Sequence, residues 1–225
     1  MIWRELMKRK IVIGDIHGCY DELLDLLDRI GPAEDDLLIP VGDIIHQGPK
    51  SVQVFNFFQS QKSAVVLMGN HERKHVRGVL SLSQKITRHQ FDRKYTRAKS
   101  WMSIFPYFFE DKDVIIVHAA LQPGVTMKDQ QENILCGTMS GERRLKALLV
   151  GKKWNEAYNG IKPVIFGHKV VGKTPLIYKD RVFGIDTGAC HGGRLTAITV
   201  PEFRVCSVKA RQNYWSRAKH EWNIS

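Results

Sequence analysis

Seven residues able to bind divalent cations or move protons sit at one kind of place in this chain, just beyond short apolar runs. Asp15 and His17 follow Lys10–Ile13, and Asp43 follows Leu37–Val41. Asn70 and His71 follow Ala64–Met68, His118 follows Val114–Val117, and His168 follows Val164–Phe166. One histidine after a strand is ordinarily just a polar terminus. Five strand ends that all finish in Asp, Asn or His form a pattern that chance rarely assembles. Carboxylate, carboxamide and imidazole without cysteine suit hard or borderline ions such as Mn2+, Fe2+ or Zn2+. Six or more donors exceed one tetrahedral site. Two ions ~3.5–4 Å apart that share a carboxylate would use them all, acidify a water and clamp a phosphoryl group.

Such donors meet only if the strand ends share one edge. The first seventy residues repeat strand, polar loop, helix. The strands are expected at Lys10–Ile13, Leu37–Val41 and Ala64–Met68, the helices at 21–30 and 52–59. This alternation reads as α/β with a parallel sheet, whose loops beyond the strand carboxyl ends converge on one crevice. Residues 73–99 carry nine Lys or Arg against the single acid Asp92, and read as a basic helical insertion. From Asp113 onward strands are expected at 114–117, 164–166, 176–178, 182–185, 195–200 and 204–208. Helices near 141–150 and 152–159 interrupt them. The aromatic cluster from Trp101 to Phe108 reads as core packing and His191 as a loop histidine. No linker, repeat or low-complexity tract divides the chain, so one domain over 1–225 is expected.

With 43% hydrophobic and 25% charged residues, the 225-residue chain is neither disordered nor a coiled coil. No apolar run is long enough to span a membrane. The basic first ten residues lack a signal-peptide core. Met7 could be a second start, and a cytoplasmic location is expected. Cys19, Cys136, Cys190 and Cys206 form no CxxC pair and read as free thiols. The net charge of +11 favours a polyanionic partner, with nucleotides, phosphoproteins and nucleic acid all open on this ground.

Five segments carry a resemblance: Gly14-Asp15-Ile16-His17-Gly18, Gly42-Asp43 with Gly48-Pro49, Gly69-Asn70-His71-Glu72, Val117-His118-Ala119 and Gly167-His168. In order and spacing they resemble the calcineurin-like metallophosphoesterases, and more narrowly the phosphoprotein phosphatase family. That family includes bacterial serine/threonine protein phosphatases and symmetrical diadenosine tetraphosphatases. The likeness runs from about Lys10 to Ala210, and Gly14–Leu24 is similar to the tetraphosphatase opening. It implies two mixed β-sheets packed as a sandwich and flanked by helices. It also implies a dinuclear centre, with Mn2+ foremost and Fe or Zn as alternatives. In that centre Asp15 and His17 hold one ion, Asp43 bridges, and Asn70, His118 and His168 hold the other. A metal-bridging hydroxide is then the nucleophile and His71 the general acid. The implied substrates are phosphomonoesters such as phosphoserine and phosphothreonine, with dinucleoside tetraphosphates as the alternative. A weakly active phosphate- or nucleic-acid-binding module is a third reading.

The chain departs from the family at its second motif, Gly42-Asp43-Ile44-Ile45-His46-Gln47-Gly48. His46 stands where an Asp normally supports the acid histidine, and Gln47 where an Arg normally grips phosphate. A second phosphate-binding Arg is absent from Leu135-Cys136-Gly137-Thr138. Arg73, Arg143 and Arg144 are the candidates to replace it.

Overall fold

Lys10–Ile13 (β1) is apolar beyond its lysine, and Ile11, Val12 and Ile13 are wholly buried, as a central strand requires. The computed structural model describes residues 9–221, so Met7 lies outside it. β1 pairs in parallel with Leu37–Pro40 (β2) and antiparallel with Arg194–Val200 (β8), which pairs with Arg204–Lys209 (β9). The second sheet contains Phe108–Glu110 (β3), Ile115–Val117 (β4), Val164–Phe166 (β5), Leu176–Tyr178 (β6) and Val182–Gly184 (β7). Its order is β3-β4-β5-β7-β6, with β4, β5 and β7 mutually parallel. Both sheets are thus mixed, and the all-parallel sheet read from the first seventy residues holds only for β1 and β2.

Val12, Ile39 and Ile198 of the first sheet meet Ile116, Ile165 and Phe183 of the second, so the sheets form a sandwich. Its first outer face is covered by Tyr20–Ile30 (α1) and Ser51–Ser60 (α2) through Leu23, Leu26 and Phe55. Leucines at 23, 26 and 27 share one side of α1 because a helix repeats every 3.6 residues. Trp101 and Phe105 pack edge-on in this layer, 4.7 Å apart between ring centroids, as the core reading expected.

The basic stretch forms Asn70–Arg77 (α3), Leu82–Phe91 (α4) and Tyr95–Met102 (α5). Farther on come Glu132–Leu135 (α6), Met139–Leu149 (α7), Trp154–Ala157 (α8) and Tyr214–Glu221 (α9). The expected helix at 152–159 is therefore one short turn. The expected strand at 64–68 is a single bridge, Ala64 to Leu38. Val65 and Leu67 still donate to β2, but Met68 N–H turns away to Pro106. No helix among the described residues is long and apolar enough to cross a membrane.

Candidate metal centre

β1, β2, β4 and β5 deliver Asp15, His17, Asp43, His118 and His168 just past their carboxyl ends, and the turn into α3 delivers Asn70 and His71. Three of these residues, His17, Asp43 and His168, have positive φ of 47°, 48° and 74°. Left-handed backbone at non-glycine residues costs about 1–3 kcal/mol each, and such strain clusters at functional sites. Two glycines admit the carboxylates. A Cβ at Gly167 would lie 2.0 Å from Asp15 Oδ1, and one at Gly69 2.1 Å from Asp43 Oδ1.

Both carboxylates are anchored by backbone, Asp15 through both oxygens to His168 N–H and Asp43 through one. His168 N–H donates to Asp15 Oδ1 and His71 N–H to Asp43 Oδ1, both at 3.0 Å. The other Asp43 oxygen faces three imidazoles, with Nε2 of His118, His17 and His71 at 3.4, 3.8 and 3.9 Å. His17 Nε2 is also 4.0 Å from Asp15 Oδ2. His17, Asp43 and His71 form one group of ligand atoms within 4.8 Å of one another, and Asp43, His118 and His168 a second. Asp43 is common to both.

Hydrogen-bond polarity separates the roles of the rings. His118 Nδ1 donates to the Val41 carbonyl at 3.2 Å, which leaves Nε2 a bare lone pair. That lone pair faces Asn70 Oδ1 at 3.0 Å. His168 Nε2 donates to Glu142 at 2.7 Å, so its bare Nδ1 also faces Asn70 Oδ1, again at 3.0 Å. His17 Nδ1 points at the Ile45 carbonyl at 3.4 Å and turns a bare Nε2 inward. Acceptors facing acceptors repel unless a cation lies among them, so this donor set fits divalent metal. Outer hydrogen bonds of this kind orient metal-binding imidazoles.

His71 is the reverse. Gln84 Nε2 donates to its Nδ1 at 3.0 Å, so the neutral ring carries its proton on Nε2, facing inward. Gln84 cannot flip freely, because its Oε1 accepts from Ser81 N–H in the capping box that opens α4. His46 stacks on His71 at 4.1 Å and hydrogen-bonds Thr87 through Nδ1. Burial, then the neighbouring imidazoles of His71, His17 and His75, hold His46 well below the usual histidine range. Burial likewise lowers His71 to about 3.

The acids tell the same story. Burial pushes Asp15 well above the usual carboxylate range, and the nearby charges of Asp186 and Asp43 push it further. Burial raises Asp186 as well. Burial would raise Asp43 too, but attraction to the protonated forms of His118, His71 and His17 sets it well below the usual range. No Lys or Arg pairs with Asp15, Asp43 or Asp186 among the described residues. Crowded buried acids without a side-chain cation are a second reason to place metal here.

Of the phosphate candidates, Gln47 accepts from the Cys190 thiol at 3.1 Å, and Arg73 Nε donates to Tyr107 at 3.3 Å. Arg143 and Arg144 are exposed on α7, and Arg143 lines a cavity beside His168. His191 is exposed in its loop. Four contributors went unassigned in the sequence: Glu72, which accepts from Asp43 N–H at 2.8 Å, Gln84, Glu142 and Asp186. Asp186 had a signal, since it too follows a strand. All four cysteines are free thiols.

A family profile described as calcineurin-like phosphoesterase matches residues 8–172. The asymmetrical bis(5'-nucleosyl)-tetraphosphatase PrpE of Halalkalibacterium halodurans is 30% identical over 89% of this chain and 94% of its own. Its counterpart in Anoxybacillus flavithermus is 31% identical over 90% of this chain and 95% of its own. A solved chain proposed to be a diadenosine tetraphosphatase superposes with TM-score 0.78 at 28% identity, covering 90% of this chain and 94% of that one. A serine/threonine phosphatase from Saccharomyces cerevisiae shares the fold alone, with TM-score 0.63 and 12% identity over 92% of this chain and 81% of its own. The sequence resemblance pointed to symmetrical tetraphosphatases, whereas these PrpE relatives are named for asymmetrical cleavage.

Proposed function

This chain belongs to the calcineurin-like phosphoesterase family and is a metallophosphoesterase hydrolase; we propose that it cleaves the phosphoanhydride chain of dinucleoside tetraphosphates off-centre. The polarity of His71 carries this reading. A ring whose Nδ1 accepts from Gln84 offers a neutral Nε2–H, and no carboxylate bonds Nδ1 to support a second proton; Asp43, 3.9 Å from Nε2, does not offset the burial that holds the ring at about 3. That donor suffices for an anhydride, whose departing phosphate is already stable as an anion near neutral pH. It is poor for phosphoserine, whose departing alkoxide needs a full proton. The names of the PrpE relatives support the same substrate class.

In this reading Asp15 and His17 hold one divalent cation, Asn70, His118 and His168 hold a second, and Asp43 serves both. Bound there, the ions, with Mn2+ suited to this donor set, would acidify a water and neutralise phosphoryl charge. The chain's own part is geometric. Glu142 and the Val41 carbonyl aim the rings of His168 and His118. Glu72 fixes the backbone at Asp43 and Ile45. Gln84 fixes the His71 tautomer, and His71 Nε2–H meets the leaving phosphate oxygen. Chromatography of products from diadenosine tetraphosphate with Mn2+ tests the proposal. ATP and AMP are expected. ADP alone would mean central cleavage. Hydrolysis of a phosphoserine peptide with none of the dinucleotide would overturn the reading.

A further inference from the structure

One face of α7 serves two purposes. Residues 142, 145, 146 and 149 are neighbours at helical spacing. Glu142 holds His168, and the next turns line a cavity of about 590 Å3 that opens beside Gly167 and His168. This volume lies in the ~300–1,000 Å3 range of small-molecule sites. Its floor is apolar, with Ala120, Leu145 and Phe166 buried and Trp154 half-buried. Trp154 packs edge-on against Phe166 at 4.8 Å between centroids. Met139, 73% exposed, stands at its edge with no packing role that explains an apolar side chain there.

The rim is basic. Arg143, Lys146 and Lys152 line the cavity and form no ion pair among the described residues. Lys169 is tied to Glu142 at 2.9 Å, and Lys153 approaches Glu156 at 3.6 Å. The lining carboxylate, Glu142, is thus already engaged by His168 and Lys169. An aromatic floor ringed by unpaired cations and bordered by His168 matches a ligand with an apolar ring system at one end and a run of phosphates at the other.

We propose that this cavity is the nucleoside subsite: it takes one base and ribose of a dinucleoside polyphosphate, while Arg143, Lys146 and Lys152 meet the phosphates leading to the centre. The inference rests on the dinucleotide reading above and adds where the substrate lies. The test compares kcat/KM for diadenosine tetraphosphate with that for p-nitrophenyl phosphate, which has no nucleoside. The double variant Lys146→Ala/Lys152→Ala should lower the dinucleotide-to-monoester ratio about tenfold, the effect of a charge-assisted contact or two. Met139→Ala, at an exposed position that threatens no core, should lower it about threefold through lost apolar contact. Lys85→Ala on α4 removes one lysine charge away from the cavity and should leave the ratio unchanged.

An unchanged ratio in both cavity variants, or an equal fall in Lys85→Ala, overturns the subsite. So does a loss on a phosphoserine peptide that exceeds the loss on the dinucleotide, which would make the cavity a peptide site. Calorimetric binding separates this proposal from the substrate reading. ATP should bind the wild type more tightly than inorganic triphosphate, and Met139→Ala should shrink that margin. If the dinucleotide is not hydrolysed yet the margin is present, the substrate reading fails and the subsite stands. If there is no margin, the subsite fails.

Discussion

Gln84→Glu should convert the inward donor on His71 into a stronger acid and so broaden the substrates the protein can cleave. The change is conservative for the fold. Glu is the usual partner of Ser in a capping box, so one carboxylate oxygen can keep the bond to Ser81 N–H. The other oxygen replaces the amide nitrogen 3.0 Å from His71 Nδ1. It can only accept, so Nδ1 must carry a proton, and a ring that still presents Nε2–H is then an imidazolium. A carboxylate at that range is worth about 5–6 kcal/mol at an effective dielectric of 20, or about four pKa units. Position 84 is fully buried, and desolvation of the new charge takes back a large share. A net rise of roughly one to two units remains, upward from about 3.

At pH 6 the protonated fraction of His71 then grows roughly ten- to a hundredfold. Phosphoserine, whose alkoxide needs that proton, should gain by this factor in kcat/KM. Diadenosine tetraphosphate should change little. The alkaline limb of the phosphoserine profile should move upward, because the proton is held to higher pH. The assay is steady-state release of phosphate and of nucleotide, with metal content measured on the same samples. An unchanged ester-to-anhydride ratio in a folded, metal-replete variant would refute the polarity argument.

Asp43→Asn should lose both metals together with at least a hundredfold in activity, since one carboxylate faces both ligand groups; mass spectrometry that finds two ions per chain beside near-normal turnover would contradict the shared role. Glu142→Gln keeps the shape but weakens the orientation of His168, so metal affinity should fall about tenfold in a competitive chelator titration. Metal binding should release protons below neutral pH. Asp15 and Asp186 are raised by burial in the metal-free protein and give up protons when a cation arrives. Calorimetry in buffers of different ionisation enthalpy reads this, with release that fades as pH rises through their raised values. No release at any pH between the usual carboxylate range and neutrality would place these acids outside the centre.

What was legible in the sequence was whatever depends on neighbours along the chain. Asp15, Asp43, His118 and His168 stand out because an apolar strand must end and a polar residue at that end faces the loop edge. Ala64–Met68 misled for the same local reason: five apolar residues resemble a strand, and nothing in them reveals that Met68 N–H bonds Pro106 rather than β2. The parallel sheet was over-read because the antiparallel β8 and β9 come from the far end of the chain, where the local pattern says nothing about partners.

Partners across the fold were not legible, and these decide the chemistry. By distance alone His71 groups with His17 and Asp43 as another cation-facing imidazole. Its difference lies in what touches the opposite nitrogen. A carbonyl or carboxylate there turns a lone pair inward, as at His17, His118 and His168. An amide N–H there turns a proton inward, as at His71. That amide comes from Gln84, thirteen residues on and inside a helix cap, where a glutamine reads as ordinary capping chemistry. The replacement of an expected Asp by His46 shows in the sequence that the usual support is missing. Only the fold shows that a contact of opposite polarity, from Gln84, has taken its place, and the proposed preference for anhydride over ester rests on that contact.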